Sequence, residues 1–212
     1  MADTPQAQSS RIEVVIAVVL SISGLMTAWA SYQAALWDGE QAAQYTRSGE
    51  LRSIANRAHL QVDARRITEL HLVNSWLQAK MRGETKLAAF YRSRLPADIR
   101  PAFEAWLAQS PLTNPRAPPG PFLDPSYRPL GTDEAERLDG QADAALRAGR
   151  EANARSDLFT QGGVFLATAL FFAGIGQVFR VPRVRLALLA IAVLACAGGL
   201  LRILTLPTLR PG

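Results

Sequence analysis

Few residues in this chain have the types and spacing that chemistry needs. Two histidines, His59 and His71, are twelve positions apart. On one helix they would point about 120° apart, a poor arrangement for sharing a metal ion. They read instead as solvated or interhelical polar residues. The single cysteine, Cys196, sits inside an apolar run, so it forms no intramolecular disulfide and says nothing about redox compartment. No phosphate-cradling G-x-x-x-x-G-K-[ST] loop, C-x-x-C, H-E-x-x-H or G-x-S-x-G occurs. The glycines of "GIGQVF" at 174–179 lie in an apolar segment, where close helix packing explains them better than a ligand does. Acids are numerous, but among so many arginines they suit i,i+4 pairs such as Arg65–Glu69. The sequence therefore nominates no catalytic, cofactor-binding or metal-binding residue, no cofactor, and no enzyme.

The elements that would carry any site are clearer. Three blocks, 14–36, 158–179 and 186–201, are almost free of charge. A bilayer core of ~30 Å needs roughly 20 helical residues, and three segments meet that length. They give this division: a short N-terminal tail 1–11; transmembrane helix 1 at 12–32; an extramembrane region 33–157; transmembrane helix 2 at 158–179; a basic turn 180–183; transmembrane helix 3 at 184–204; and a C-terminal tail 205–212. Trp29, Tyr32 and Trp37 are placed like an interfacial aromatic belt. The first apolar run is longer than the roughly 7–15 residues of a signal-peptide core, so it reads as an uncleaved anchor.

The charge balance points the same way. Residues 33–157 hold 17 Lys+Arg against 16 Asp+Glu, so the excess sits at the membrane flanks: Arg11, Arg180, Arg183, Arg185, Arg202 and Arg210. Arginines placed there act as orientation signals rather than as a nucleic-acid footprint. The short basic turn predicts N-terminus in, 33–157 out and C-terminus out. Arg47, Arg52, Arg147, Arg150 and Arg155 oppose this, but they lie amid acids on a long loop, which counts for little.

Between the first two spans the pattern stays helical. A seam of small residues runs Ala28, Ala35, Gly39, Ala42, Thr46, Gly49, Ser53, Asn56, and farther on Leu60, Ala64, Ile67, Asn74, Leu77 and Met81 keep a helical spacing. A matching seam runs Ala135, Leu138, Ala142, Ala145, Gly149, Ala152, Ser156. Thr132 is placed as an N-cap, with acids after it to suit the helix dipole. Facing seams of this kind predict an antiparallel, coiled-coil-like stalk. Its tip would hold two short helices, "GETKLAAFYRSRL" and "ADIRPAFEAWLAQ". The Pro-rich loop 110–131 then reads either as a docking loop for a partner or as a stiff strap whose Phe122 and Tyr127 cover Phe90, Tyr91, Phe103 and Trp106. Gly24/Ala28, Ala169/Ala173 and Ala195/Gly199 are small-residue pairs that license close packing in the spans. The fold class is all-α: three transmembrane helices, a long antiparallel helical stalk and a small helical tip carrying a Pro-rich loop.

The stretches "AWASYQAALWDGEQ" and "RPAFEAWLAQSPLTNPRAPPGPF" with Tyr127, together with the basic turn before the third span, resemble a family of uncharacterised bacterial three-span integral membrane proteins. The resemblance covers about residues 20 to 205. It implies a bacterial cell membrane and three spans; together with the arginine placement above, the expectation is a multi-pass inner-membrane protein with 33–157 periplasmic or otherwise extracytoplasmic. It implies no activity and no site residues.

Two functions fit. One is a membrane-anchored, non-enzymatic helical scaffold or interaction protein, whose partners are the lipid bilayer, a protein at the tip or Pro-rich loop, or further copies of itself, and not nucleic acid. The other is a subunit of an oligomeric channel or transport complex, with Ser21, Ser23, Thr27 and Thr168 available to line a pore. Glu13, Gln161, Gln177 and Arg202 all sit near span ends, where snorkelling makes them cheap. Arg202 is expected to reach toward Asp38 or Glu40, or toward lipid phosphate.

Overall fold

The computed structural model describes the backbone of residues 5–210 and the side chains of residues 12–210. Arg11 falls outside the described side chains. Among the described residues, five α-helices and one 3-10 turn make up the regular structure: α1 Pro5–Met81, α2 Thr85–Ser93, α3 Arg100–Ala108, the turn Pro121–Leu123, α4 Thr132–Val178 and α5 Pro182–Leu204. No strand occurs among the described residues. Three helices, α1, α4 and α5, are long and apolar enough to cross a membrane.

Helix α1 runs for 77 residues because no proline interrupts it after Pro5. It stops at Gly83, whose φ of 77° suits only a residue without a Cβ. The Glu84 amide then donates to the Ala79 carbonyl at 2.9 Å and the Gly83 amide to the Lys80 carbonyl at 3.1 Å. These two bonds satisfy carbonyls that the helix end would otherwise leave without donors. Helix α4 starts after Gly131, at φ 102°. The Thr132 hydroxyl does not cap it. It donates back to the Pro129 carbonyl at 2.8 Å, and the acids of the first turn pair with arginines, Arg128 with Asp133 and Glu136, and Arg137 with Glu134. Helix α5 opens on Pro182, where a missing amide hydrogen costs nothing.

The chain divides into two compact units, and both boundaries fall inside helices. One comprises the chain up to Thr46 and from Ala145 onward. Its core is apolar: Ile16, Ala30, Ala34 and Trp37 from α1, Phe159, Leu166 and Ala169 from α4, and Ala192, Cys196 and Ile203 from α5. Val18, Leu25, Val164, Phe171, Leu194 and Leu201 point outward and are at least half exposed. An apolar exterior of this extent suits lipid as the surrounding solvent.

Packing in this unit depends on missing side chains. A Cβ at Gly199 would lie 2.8 Å from Leu166 Cγ and 3.1 Å from the Gly162 carbonyl oxygen, and a Cβ at Gly162 would collide with Ile203. Ala169 and Ala173 are fully buried. The pair Gly24/Ala28 does not pack in this way: nothing lies within 4 Å of a Cβ at Gly24, and Ala28 is exposed.

The other unit, Arg47–Ala144, holds the remainder of α1, the start of α4 and everything between. The Ser48 hydroxyl donates to the Ala142 carbonyl across the helix pair at 2.8 Å, and Ala55 is fully buried. In the first unit the Ser156 hydroxyl donates to the Ala34 carbonyl at 3.2 Å. In each unit, then, a seam serine reaches the partner helix's backbone, which requires close approach.

All seven expected seam residues of α4, Ala135 to Ser156, are buried. The expected α1 seam is wrong. Ala28, Ala35, Gly39, Ala42, Thr46, Gly49, Ser53 and Asn56 are all exposed. The buried stripe is offset by two residues, through Ala30, Trp37, Ser48 and Ala55. Likewise Leu60, Ile67 and Met81 are exposed, while Glu69, Val73, Trp76 and Ala79 are buried. Trp37 is 5% exposed with the Arg155 guanidinium 4.5 Å above its ring, so it packs inward and is no part of an aromatic belt.

Candidate functional site

The tip is where short elements converge. Val73, Trp76 and Ala79 of α1 meet Ala88 of α2, Leu95 and Ile99 of the following turn, and Phe103 and Trp106 of α3. The Trp76 and Phe103 rings stand edge to face at 5.0 Å and 87°. Phe122 and Tyr127 pack on this cluster from the Pro-rich segment. The Trp106 indole N–H donates to the Pro118 carbonyl at 2.7 Å, fastening the segment by its backbone. The strap reading therefore describes this contact, with one exception. Phe90 is half exposed and carries Arg94 over its ring at 5.2 Å rather than being covered.

Beside this cluster lies an open cleft of about 910 Å³. Trp76, Leu107 and Leu112 give it apolar surface, and Lys80, Arg92 and Arg100 give it positive charge. Arg92 binds both Glu104 carboxylate oxygens, at 2.9 and 2.5 Å, a fork geometry that fixes both side chains. Arg100 donates to the Leu95 carbonyl at 2.9 Å. Two of the three cations are thus committed to acceptors within the protein. The rim turns at Ser110, whose φ of 55° is a left-handed conformation rare for a residue with a Cβ. Its carbonyl accepts from the Thr113 and Asn114 amides at 3.0 and 2.9 Å, so local bonds hold the turn.

The residues singled out by type do not converge. His59 Nε2 lies 2.7 Å from Asp139 Oδ2, an interhelical contact, while His71 is exposed. Among the described residues no three His, Cys, Asp or Glu side chains come close enough to hold a metal ion. Cys196 is buried. Arg202 does not reach toward Asp38 or Glu40; it donates to Gln161 Oε1 at 2.8 Å and ties α5 to α4. Glu13 stands 3.8 Å from Arg185, and Gln177 is exposed. The Thr27 and Thr168 hydroxyls bond their own helices, to the Ser23 and Val164 carbonyls, and Ser23 is fully buried.

Two polar arrangements had no signature in the sequence. Gln33, 1% exposed, donates to the Leu209 carbonyl at 3.2 Å and accepts from the Leu209 amide at 2.9 Å, pinning the segment after α5 to α1. Glu69 does not pair with Arg65. Its carboxylate is buried and accepts a 2.6 Å hydrogen bond from Tyr127.

Compared with protein-family models, with curated proteins and with solved structures, the chain matches none of them.

Proposed function

We propose that the protein is a membrane-anchored, non-enzymatic helical scaffold whose tip is a contact surface for a protein partner. The observation that carries the reading is the tip cleft. It combines exposed apolar surface with cations already held by Glu104 and by a backbone carbonyl, a face suited to protein contact. In this reading the three apolar helices anchor the chain in a bacterial cell membrane, as the sequence resemblance implies. The basic turn 180–183 stays in the cytoplasm and residues 33–157 face outside. Within each unit the α1–α4 pairing is coiled-coil-like.

The test is site-specific photocrosslinking in the native cell. A photoreactive residue replaces Leu112 at the cleft, or Leu60, an exposed residue of α1 outside it. Recovery of one discrete protein adduct from position 112 and none from 60 is the expected result. A ladder of self-adducts at 112 would make the occupant another copy of this chain. No adduct at 112 would remove the contact-surface reading.

A further inference from the structure

We propose that Glu69, Asp98 and Tyr127 form a proton-dependent latch that holds the Pro-rich strap on the tip. Three separate elements meet there. Glu69 lies on α1 and is 1% exposed. Asp98 lies in the turn between α2 and α3 and lines the same small cavity as Glu69. The strap contributes Tyr127, whose hydroxyl donates to Glu69 at 2.6 Å, and Leu130, whose amide donates to Asp98 at 3.0 Å. A cavity of about 430 Å³, bounded also by Arg65, Pro96 and Leu130, adjoins the two carboxyl groups.

A single proton decides whether this is one network or two. With Glu69 protonated, its carboxyl can accept from Tyr127 and donate to Asp98. The strap is then tied through both carboxyl groups in an unbroken chain, from the Tyr127 hydroxyl to the Leu130 amide. With Glu69 ionised, two carboxylates face each other, the link between them is lost, and like charges sit side by side. Burial is the largest influence on Glu69 and raises it above the ordinary carboxylate value. Asp98 adds to this, while the Tyr127 hydrogen bond and Arg65 act against it. Tyr127 is itself raised by burial and by Glu69, with Arg66 opposing, so it stays a donor. Because the folded-state value of Glu69 is raised, its favourable contribution is complete below the ordinary carboxylate value. That contribution is lost as pH climbs through the raised one. Ionisation strengthens the Tyr127 hydrogen bond, but it also leaves an uncompensated charge buried under the strap beside Asp98, and burial is the larger of the two effects, so the latch is closed in acid and loosened toward neutrality.

Hydrogen exchange of the full-length protein in nanodiscs, followed from about pH 4 to about pH 8 and corrected for intrinsic exchange, reads the strap directly. Protection of peptides within 110–131 is expected to fall severalfold as pH rises, while peptides of α5 stay level. Glu69→Gln should abolish that dependence and keep the strap protected, because its amide can donate to Asp98 at every pH. Should that variant fail to fold, two others decide. Tyr127→Phe removes a bond that favours the ionised form, so the midpoint should move up. Asp98→Asn removes the like charge, so it should move down. A strap protection independent of pH in the wild type, or a midpoint unmoved by these variants, would overturn the latch.

Discussion

Single side chains set the polar interior of this protein, and Gln33 shows how much one can hold. Its amide is buried against the Leu209 backbone, giving and receiving one bond each. Gln33→Leu roughly preserves volume but leaves the half-buried Leu209 N–H and C=O without this partner, at a cost of about 1 kcal/mol. The variant should melt at lower temperature in detergent, and the chain after Leu204 should become cleavable by carboxypeptidase. An unchanged melting temperature with a protected tail would show that the clamp contributes nothing. Nothing in the sequence marked Gln33 out. A lone polar residue beside a span has no pattern, and its partner is a backbone group 176 residues away. Glu69 was equally invisible. An i,i+4 arginine is the commonest neighbour for a helical acid, and only the returning strap supplies Tyr127 instead.

Elements were more legible, because helices announce themselves by length, apolar blocks and breakers. The three apolar helices follow from composition, and the end of α1 follows from Gly83. The α4 seam was legible too, since Ala135, Leu138, Ala142, Ala145, Gly149, Ala152 and Ser156 recur at alternating spacings of three and four. The α1 seam was not. Choosing small residues on both helices presumes alanine packed on alanine. Here an α4 groove lined by Ala152 and Gly149 instead meets larger groups, and a Cβ at Gly149 would lie 2.5 Å from the Tyr45 ring. Small residues also lie on both faces of α1, Ala30, Ser48 and Ala55 on the buried one and Ala28, Ala42 and Ser53 on the exposed one, so size alone could not choose between them.

The corrected seam makes a sharp contrast. Ala55→Leu, at a fully buried position, should lower stability by about 1–3 kcal/mol through overpacking, while Ala42→Leu, on the exposed face, should change it by less than about 0.5 kcal/mol. Thermal melts in detergent check both; equal effects would restore the original seam. Between α4 and α5, adjacent glycines provide their own control. Gly199→Ala meets Leu166 and the Gly162 carbonyl and should destabilise the helix pair. Gly198→Ala meets nothing within 4 Å and should be neutral or slightly stabilising. Equal melting shifts for the two would argue that α4 and α5 do not pack through this glycine seam.

For the molecule as a whole, composition separates an apolar part from a charged one. We propose that the charged part, with its tip cleft, faces away from the cytoplasm while the arginine-rich turn stays inside. Substituted-cysteine labelling tests it most directly. In a Cys196→Ala background, single cysteines at Ser110 on the tip and at Val181 in the turn are both exposed sites. They are challenged in intact spheroplasts, and again after lysis, with a membrane-impermeant thiol reagent. Labelling at position 110 before lysis, and at position 181 only after it, is the expected result. Labelling at 181 in intact spheroplasts, with 110 protected until lysis, would contradict it.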